Sequence, residues 1–73
     1  GEAMKGYDLI GPYGQVIFNR THTRHLASMG TEERKYYERD QIKEVRANNE
    51  ERVIEVYFKN GELFKYTPEL TWH

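Results

Sequence analysis

The residues best suited to chemistry lie together in the string His22-Thr23-Arg24-His25. Two histidines three positions apart could bind one metal ion if they shared a turn of helix. They could also act as general acid and base in RNA cleavage, with Arg20 or Arg24 on the phosphate. Because the only other imidazole is that of the last residue, His73, a metal site is not predicted. A His-dependent nuclease is the second alternative function.

Basic residues around this string make single-stranded nucleic-acid binding the first alternative function. No acid lies between Asp8 and Glu32, and Tyr36-Tyr37 follow closely. Aromatic rings beside cations are a common way to hold single-stranded bases. The predicted contacts are Arg20, His22, Arg24, His25, Arg34 and Lys35. A net charge of −1 and interleaved acids oppose this interpretation, so we expect residues 19–30 to form a solvated basic loop.

The residue types of the chain give little support to catalysis by cysteine or serine, or to a phosphate-binding loop. The chain has no cysteine, which removes thiolate catalysis and cysteine-ligated zinc. Its only serine, Ser28, has no G-x-S-x-G context. Gly11 and Gly14 are not followed by the Lys-Ser/Thr of a phosphate-binding loop. We therefore predict a non-enzymatic protein without cofactor or metal.

The length of 73 residues suits one domain, residues 4–73, after an expected cloning remnant at residues 1–3. No apolar run approaches the roughly 20 residues that span a bilayer. The lack of cysteine fits a reducing compartment. We expect a cytoplasmic protein that does not act at a membrane.

Aromatic residues are too numerous for a core this thin, with six Tyr, three Phe and one Trp. Tyr and Trp are enriched at protein interfaces. The predicted interface residues are Val53, Tyr57, Leu63, Tyr36, Tyr37 and Trp72. The preferred function is a small binding or regulatory protein, of adaptor or inhibitor type, that contacts a protein partner or itself as a homodimer. A sheet curled into a barrel, with both faces covered by the chain, would also use these rings.

The elements that must position these residues are clearest at the end of the chain. Val53–Phe58 is rich in β-formers, and Asn60-Gly61 is a strong hairpin signal before the returning run 63–66. A two-residue turn would pair Val56 with Lys65. A type I turn with Gly61 as a left-handed bulge pairs Val56 with Phe64 instead. We prefer the bulged register.

The bulged register pairs Glu55 with Lys65 and gathers five apolar side chains on one face. This core face consists of Ile54, Val56, Phe58, Phe64 and Tyr66. Val53–Phe58 is too apolar for an exposed edge, so it should be a central strand or a dimer seam.

Earlier elements are predicted from turn signals and caps. Gly11-Pro12-Tyr13-Gly14 between two apolar runs indicates a hairpin over residues 7–18. Thr31-Glu32-Glu33 starts a short helix, about Glu32–Arg39. Tyr36, Tyr37, Ile42 and Val45 do not share a helical face, so a strand over 41–47 and a turn at Asn48-Asn49 follow.

These elements combine into a β-rich α+β fold. It is a small curved antiparallel sheet, or partly open barrel, of four to five strands, with the short helix between strands 2 and 3. The alternative is a ββαββ order with one long helix over 32–47.

Overall fold

A long helix precedes every strand of the molecule. The structure is a computed structural model that describes residues 4–73, so the expectation for residues 1–3 lies outside the described residues. A turn of 3-10 helix, Tyr7–Ile10, leads directly into α1, Gly11–Ala27. The predicted hairpin over 7–18 and the predicted loop over 19–30 are therefore wrong.

The sequence supports α1 through its start and its buried side. Pro12 lies in the first turn, where a fixed φ is favourable and a missing N–H leaves no helical bond unmade. Buried positions recur along the helix at intervals of three, one, three, one and three. They are Gly14, Ile17, Phe18, Thr21, His22 and His25. One face of α1 thus packs against the rest of the molecule.

The predicted fold class is wrong in both its strand count and its element order. Helix comes first, and a three-stranded open antiparallel sheet follows, in the order β1-β2-β3. The predicted helix over 32–39 is reduced to α2, Thr31–Arg34, and Arg39–Gln41 forms a 3-10 turn. A single helix over 32–47 is also wrong, because residues from Ile42 onwards form a strand. The described residues form a small compact unit.

The strands themselves agree closely with expectation. β1 is Ile42–Asn48, β2 is Val53–Phe58 and β3 is Leu63–Tyr66. The predicted strand near 41–47 and the central place of β2 are confirmed. The turn predicted at Asn48-Asn49 begins one residue later, because Asn48 still pairs with Val53. A register shift in β1 between Ile42 and Glu44 marks a bulge.

The bulged register of the β2–β3 hairpin is confirmed. Val56 pairs with Phe64 and Glu55 with Lys65. Gly61 has a φ of 92°, and its N–H donates to the carbonyl oxygen of Phe58 at 3.0 Å. Opposite charges therefore face each other on one side of the hairpin, while the apolar pairs face α1.

The core lies between α1 and the inner face of the sheet. Its buried hydrophobic members are Ile17, Phe18, Ile42, Val45, Ile54, Val56, Phe58 and Tyr66. Phe64 is partly buried and packs against them, so the predicted core face of the hairpin is confirmed. Both sheet edges are partly covered: Lys5 bridges to Glu44, and Trp72 bridges to Tyr66. No helix within residues 4–73 has the length and apolar character to cross a membrane.

Candidate functional site

The two histidines that sequence reasoning singled out lie inside the core. α1 carries both of them on its buried face, one turn apart, and only 5% of His22 and 2% of His25 is exposed. The Nε2 atom of His22 lies 2.7 Å from the carbonyl oxygen of Tyr37. The Nδ1 atom of His25 lies 2.8 Å from the hydroxyl oxygen of Tyr66. Each imidazole thus has a hydrogen-bonding partner within the fold.

Aromatic rings enclose both imidazoles. The His22 ring stacks on Phe18 with 5.6 Å between centroids. The His25 ring stacks on Trp72 at 4.9 Å and meets the edge of Phe64 at 4.6 Å. These contacts make the histidines part of the hydrophobic packing between helix and sheet.

Burial also sets the charge state of this cluster. Loss of solvent lowers the pKa of His25 to about 4, helped by the neighbouring His22, and it lowers the pKa of His22 as well. Burial raises the pKa of Tyr66 far above its usual value. All three side chains are therefore neutral near pH 7. Neither imidazole is open to a phosphodiester, so the geometry lends a His-dependent nuclease no support.

Among residues 4–73, no group of three or more His, Asp or Glu side chains could hold a metal ion. The remaining nucleic-acid candidates are scattered. Arg34 donates through Nη2 to the carbonyl oxygen of Met29 at 3.1 Å, and Lys35 pairs with Glu32 at 2.9 Å. Only Arg20 and Arg24 come together, both exposed and one turn apart on α1.

The predicted interface residues do not form one surface. Tyr37 and Trp72 pack against the core, and Val53 is buried. Tyr36 is 53% exposed on the segment before β1, and Leu63 is 43% exposed on β3. Leu63 pairs with Tyr57 across the β2–β3 ladder, so these two side chains share the outer face of the sheet.

Tyr57 lies on the outer face of the sheet within a polar network. Its hydroxyl donates to Oε1 of Glu55 at 3.0 Å, and the Arg46 guanidinium lies 5.3 Å from its ring centroid. Asn48 donates to the other oxygen of Glu55 at 3.0 Å. The hydrogen bond to Glu55 raises the pKa of Tyr57, and hydrogen bonds from Asn48 and Tyr57 lower the pKa of Glu55. This face is stabilised without an apolar cover.

An apolar surface that sequence reasoning missed lies on the outer side of α1 and the 3-10 turn before it. Leu9 is 89% exposed, Tyr13 73% and Val16 51%. Tyr13 and Val16 lie one turn apart on α1. Leu9 lies on the 3-10 turn, which does not continue the helix because Gly11 has a φ of 81° and a ψ of 167°. We call Tyr13 and Val16, with Arg20 one turn further, the α1 stripe. Its signal, the i, i+3, i+7 spacing, was hidden because residues 11–14 look like a turn.

A groove adjoins the α1 stripe. It has a volume of about 870 Å³ and lies between α1, the β1–β2 turn and the C-terminal segment. Its apolar lining includes Ile10, Tyr13, Ile17, Ile54 and Pro68, and its polar lining includes Asn49, Arg52 and Glu69. Because Tyr13 belongs to both features, the stripe and the groove form one continuous candidate site.

Comparison with known proteins adds no family to these observations. The chain matches no protein-family model, no curated protein and no solved structure. The function is therefore inferred from the site itself.

Proposed function

We propose that this chain is a small non-enzymatic binding protein that acts through protein–protein contacts, and that the α1 stripe is its contact surface. One observation carries the proposal. Two large apolar side chains, Tyr13 and Val16, stand exposed one turn apart on α1, and Leu9 is exposed on the 3-10 turn before it. Single exposed apolar residues are ordinary, whereas neighbouring ones beside a groove favour an interaction surface.

The surroundings of the stripe support this role. The adjoining groove is lined by both apolar and polar side chains, and Tyr13 at their junction can bury a large ring while its hydroxyl stays in water. A central aromatic residue with apolar neighbours is the usual composition of an interface hot spot. A partner protein, or a second copy of the chain, would cover this surface in an adaptor or inhibitor, and the cytoplasm is the compartment that we propose.

Site-specific photo-crosslinking tests the proposal. A photo-reactive amino acid at Tyr13 should give a discrete protein adduct in cells, because a partner covers that position. The matched control is the same amino acid at Lys43, an exposed residue of β1. Adding Val16→Ser, one turn away on α1, should remove the adduct at position 13. Identical adduct patterns at positions 13 and 43 would refute a contact surface on α1.

A second candidate function is the binding of single-stranded nucleic acid. Arg20 and Arg24 lie one turn apart on the exposed side of α1, a helix that carries no acid, which favours contact with phosphates. Fluorescence anisotropy with single-stranded RNA and DNA at two salt concentrations tests it. Binding should weaken several-fold at the higher salt and in the Arg20→Ala/Arg24→Ala variant. Salt-independent binding, or none at low salt, would exclude phosphate contacts.

A further inference from the structure

The residues that follow β3 fold back along its edge. The N–H of Lys65 donates to the carbonyl oxygen of His73 at 2.9 Å, and the N–H of His73 donates to the carbonyl oxygen of Lys65 at 3.2 Å. The N–H of Thr67 donates to the carbonyl oxygen of Thr71 at 2.9 Å. We call residues 67–73 the strap. It gives the backbone of β3 partners on the side that faces away from β2.

Trp72 in the strap also covers His25 in the core. Its ring stacks on the imidazole with 4.9 Å between centroids and 27° between planes. The sheet contacts the same imidazole through Phe58, Phe64 and Tyr66, whose backbones are paired in the strands. Trp72 is half-buried and lies outside the three strands. Movement of Trp72 therefore admits water to His25 without breaking the sheet.

The strap is held less firmly than the strands. None of its residues is buried, whereas each of the three strands contributes buried side chains to the core. Leu70 has a φ of 66°, a left-handed conformation that is unfavourable for a residue with a Cβ atom. Detaching the strap thus exposes less apolar area than opening the sheet does, and it relieves this strain.

We propose that the strap is an acid-sensitive closure, in which protonation of His25 releases residues 71–73 from the edge of β3 while α1 and the strands stay folded. Release leaves the N–H and the carbonyl oxygen of Lys65 without their backbone partners and brings the His25 ring into water. This inference concerns the opposite edge of the molecule from the α1 stripe and does not depend on the proposed contact surface.

The surroundings of His25 make its charged form unfavourable while the strap is closed. Burial is the main cause of its lowered pKa, and the neighbouring His22 adds to the effect. None of the described groups that contact the imidazole is a carboxylate. The titratable side chains that face it from the elements packed around it are His22 on α1, Tyr37 before β1 and Tyr66 on β3. In the strap, Glu69 and His73 are exposed.

The size of the effect follows from the titration of His25. Its pKa is about 4 in the closed structure and should return to the usual 6.5 when the ring is in water. The equilibrium constant for release therefore rises as the pH falls below 6.5 and levels off below about 4. Between pH 7.5 and pH 4 we expect a rise on the order of 100-fold.

Acrylamide quenching of tryptophan fluorescence in the full chain is the test, because Trp72 is the only tryptophan. Far-ultraviolet circular dichroism of the same samples follows α1 and the sheet. As the pH is lowered from 7.5, the quenching constant should rise several-fold at a higher pH than the one at which ellipticity is lost. Coincident transitions, or no rise in quenching before the helix is lost, would overturn the proposal.

His25→Gln tests the origin of the pH dependence. This variant has no titrating group at position 25, so its quenching constant should stay level until the fold is lost. The matched control is His73→Ala, which removes an exposed imidazole from the strap itself and should keep the wild-type rise. A wild-type rise in His25→Gln would show that another group is responsible and would overturn the role of His25.

A covalent tether provides a test that keeps His25 in place. The hydroxyl oxygens of Thr67 and Thr71 lie 2.6 Å apart, and the chain has no cysteine of its own. In the Thr67→Cys/Thr71→Cys variant, a disulfide would close the base of the strap and favour the closed state. The oxidised form should therefore begin to release Trp72 at a lower pH than the reduced form. Identical quenching curves for the two forms would overturn release of the strap.

Discussion

The histidines His22 and His25 have the chemistry of a reactive pair and the surroundings of core residues. Their rings stack on aromatic neighbours, and each has a partner at hydrogen-bonding distance from one ring nitrogen. In this environment an imidazole acts as a flat apolar side chain that also satisfies a buried polar group. What these residues contribute is stability, and that stability should depend on pH.

Acid should destabilise the fold through His25. Its pKa is about 4 when folded against a usual 6.5, so the unfolded chain binds the proton first as the pH falls. The stabilisation that neutral His25 gives the fold is complete above about pH 6.5 and is lost as the pH falls towards 4. Between pH 7.5 and 5 the free energy of unfolding should fall by on the order of 2 kcal/mol, measured by urea unfolding.

A variant isolates this effect from the titration of other groups. His25→Gln keeps a neutral polar side chain, so it should be less stable than wild type at pH 7.5 and should lose less stability by pH 5. His73→Ala, at the exposed last residue, should keep the wild-type loss. Equal losses in all three proteins would show that His25 is not responsible.

The hydroxyl of Tyr66 should matter for the same cluster. Tyr66→Phe removes the partner of His25 Nδ1 and leaves a buried polar atom unpaired, which costs about 1–3 kcal/mol. Tyr36→Phe, whose parent side chain is 53% exposed, should change stability by less than about 0.5 kcal/mol. Thermal unfolding compares the two. Matching midpoints would mean that the His25–Tyr66 contact contributes nothing.

The buried histidines also explain part of what the sequence concealed. On the buried face of α1, Thr21, His22 and His25 occupy positions where aliphatic residues usually signal a helix. With those three counted as polar, only Ile17 and Phe18 remain as apolar members of the face. The two histidines could be singled out from the sequence by their residue type. Their burial could not, because it depends on rings contributed by β2 and β3, which lie far away along the chain.

At the scale of elements, Gly6 separates the first strand bridge from the helix. It follows Lys5, which bridges to β1, and it has a φ of 89° at the point where the chain turns into the 3-10 segment. A Cβ atom there would collide with the carbonyl oxygen of Val45. The left-handed conformation and the close approach both require glycine.

Gly6→Ala should therefore be costly. The left-handed φ and the collision together predict a loss of about 2 kcal/mol or more in the free energy of unfolding. Gly30→Ala is the matched control, because its Cβ would meet no atom within 4 Å and its φ is not positive. Chemical denaturation measures both. If Gly6→Ala lowered the free energy of unfolding by no more than Gly30→Ala does, the requirement for glycine at position 6 would be contradicted.

The elements that local sequence signals specify could be predicted. The helix α1, which depends on tertiary contacts, could not. The β2–β3 hairpin follows from Asn60-Gly61 and from cross-strand pairs, and even its bulged register could be derived. The segment 7–27 carries Gly11, Pro12 and Gly14, which are turn signals in isolation. In the fold Pro12 starts a helix, and Gly14 allows close contact with Ile54. That contact is not visible along the sequence.

At the scale of the molecule, the two outer surfaces differ in character. The outer face of the sheet carries charged and hydrogen-bonded groups around Tyr57, with Leu63 beside it, whereas the outer face of α1 carries Tyr13 and Val16. The interface predicted from composition, at Val53, Tyr57, Leu63, Tyr36, Tyr37 and Trp72, stays a prediction. It did not include the α1 stripe, because α1 was not predicted from the sequence.

The most direct test of the α1 stripe as the contact surface is a concentration series of ¹⁵N–¹H correlation spectra of the full chain. We expect shifts, on changing the concentration or on adding the crosslinked partner, that are confined to Tyr13, Val16, Arg20 and their immediate neighbours, because that surface is buried on association. Amides of Tyr57 and Leu63 on the outer face of the sheet should remain unchanged. Shifts centred on the sheet, or spectra identical at all concentrations and with every added partner, would contradict the account.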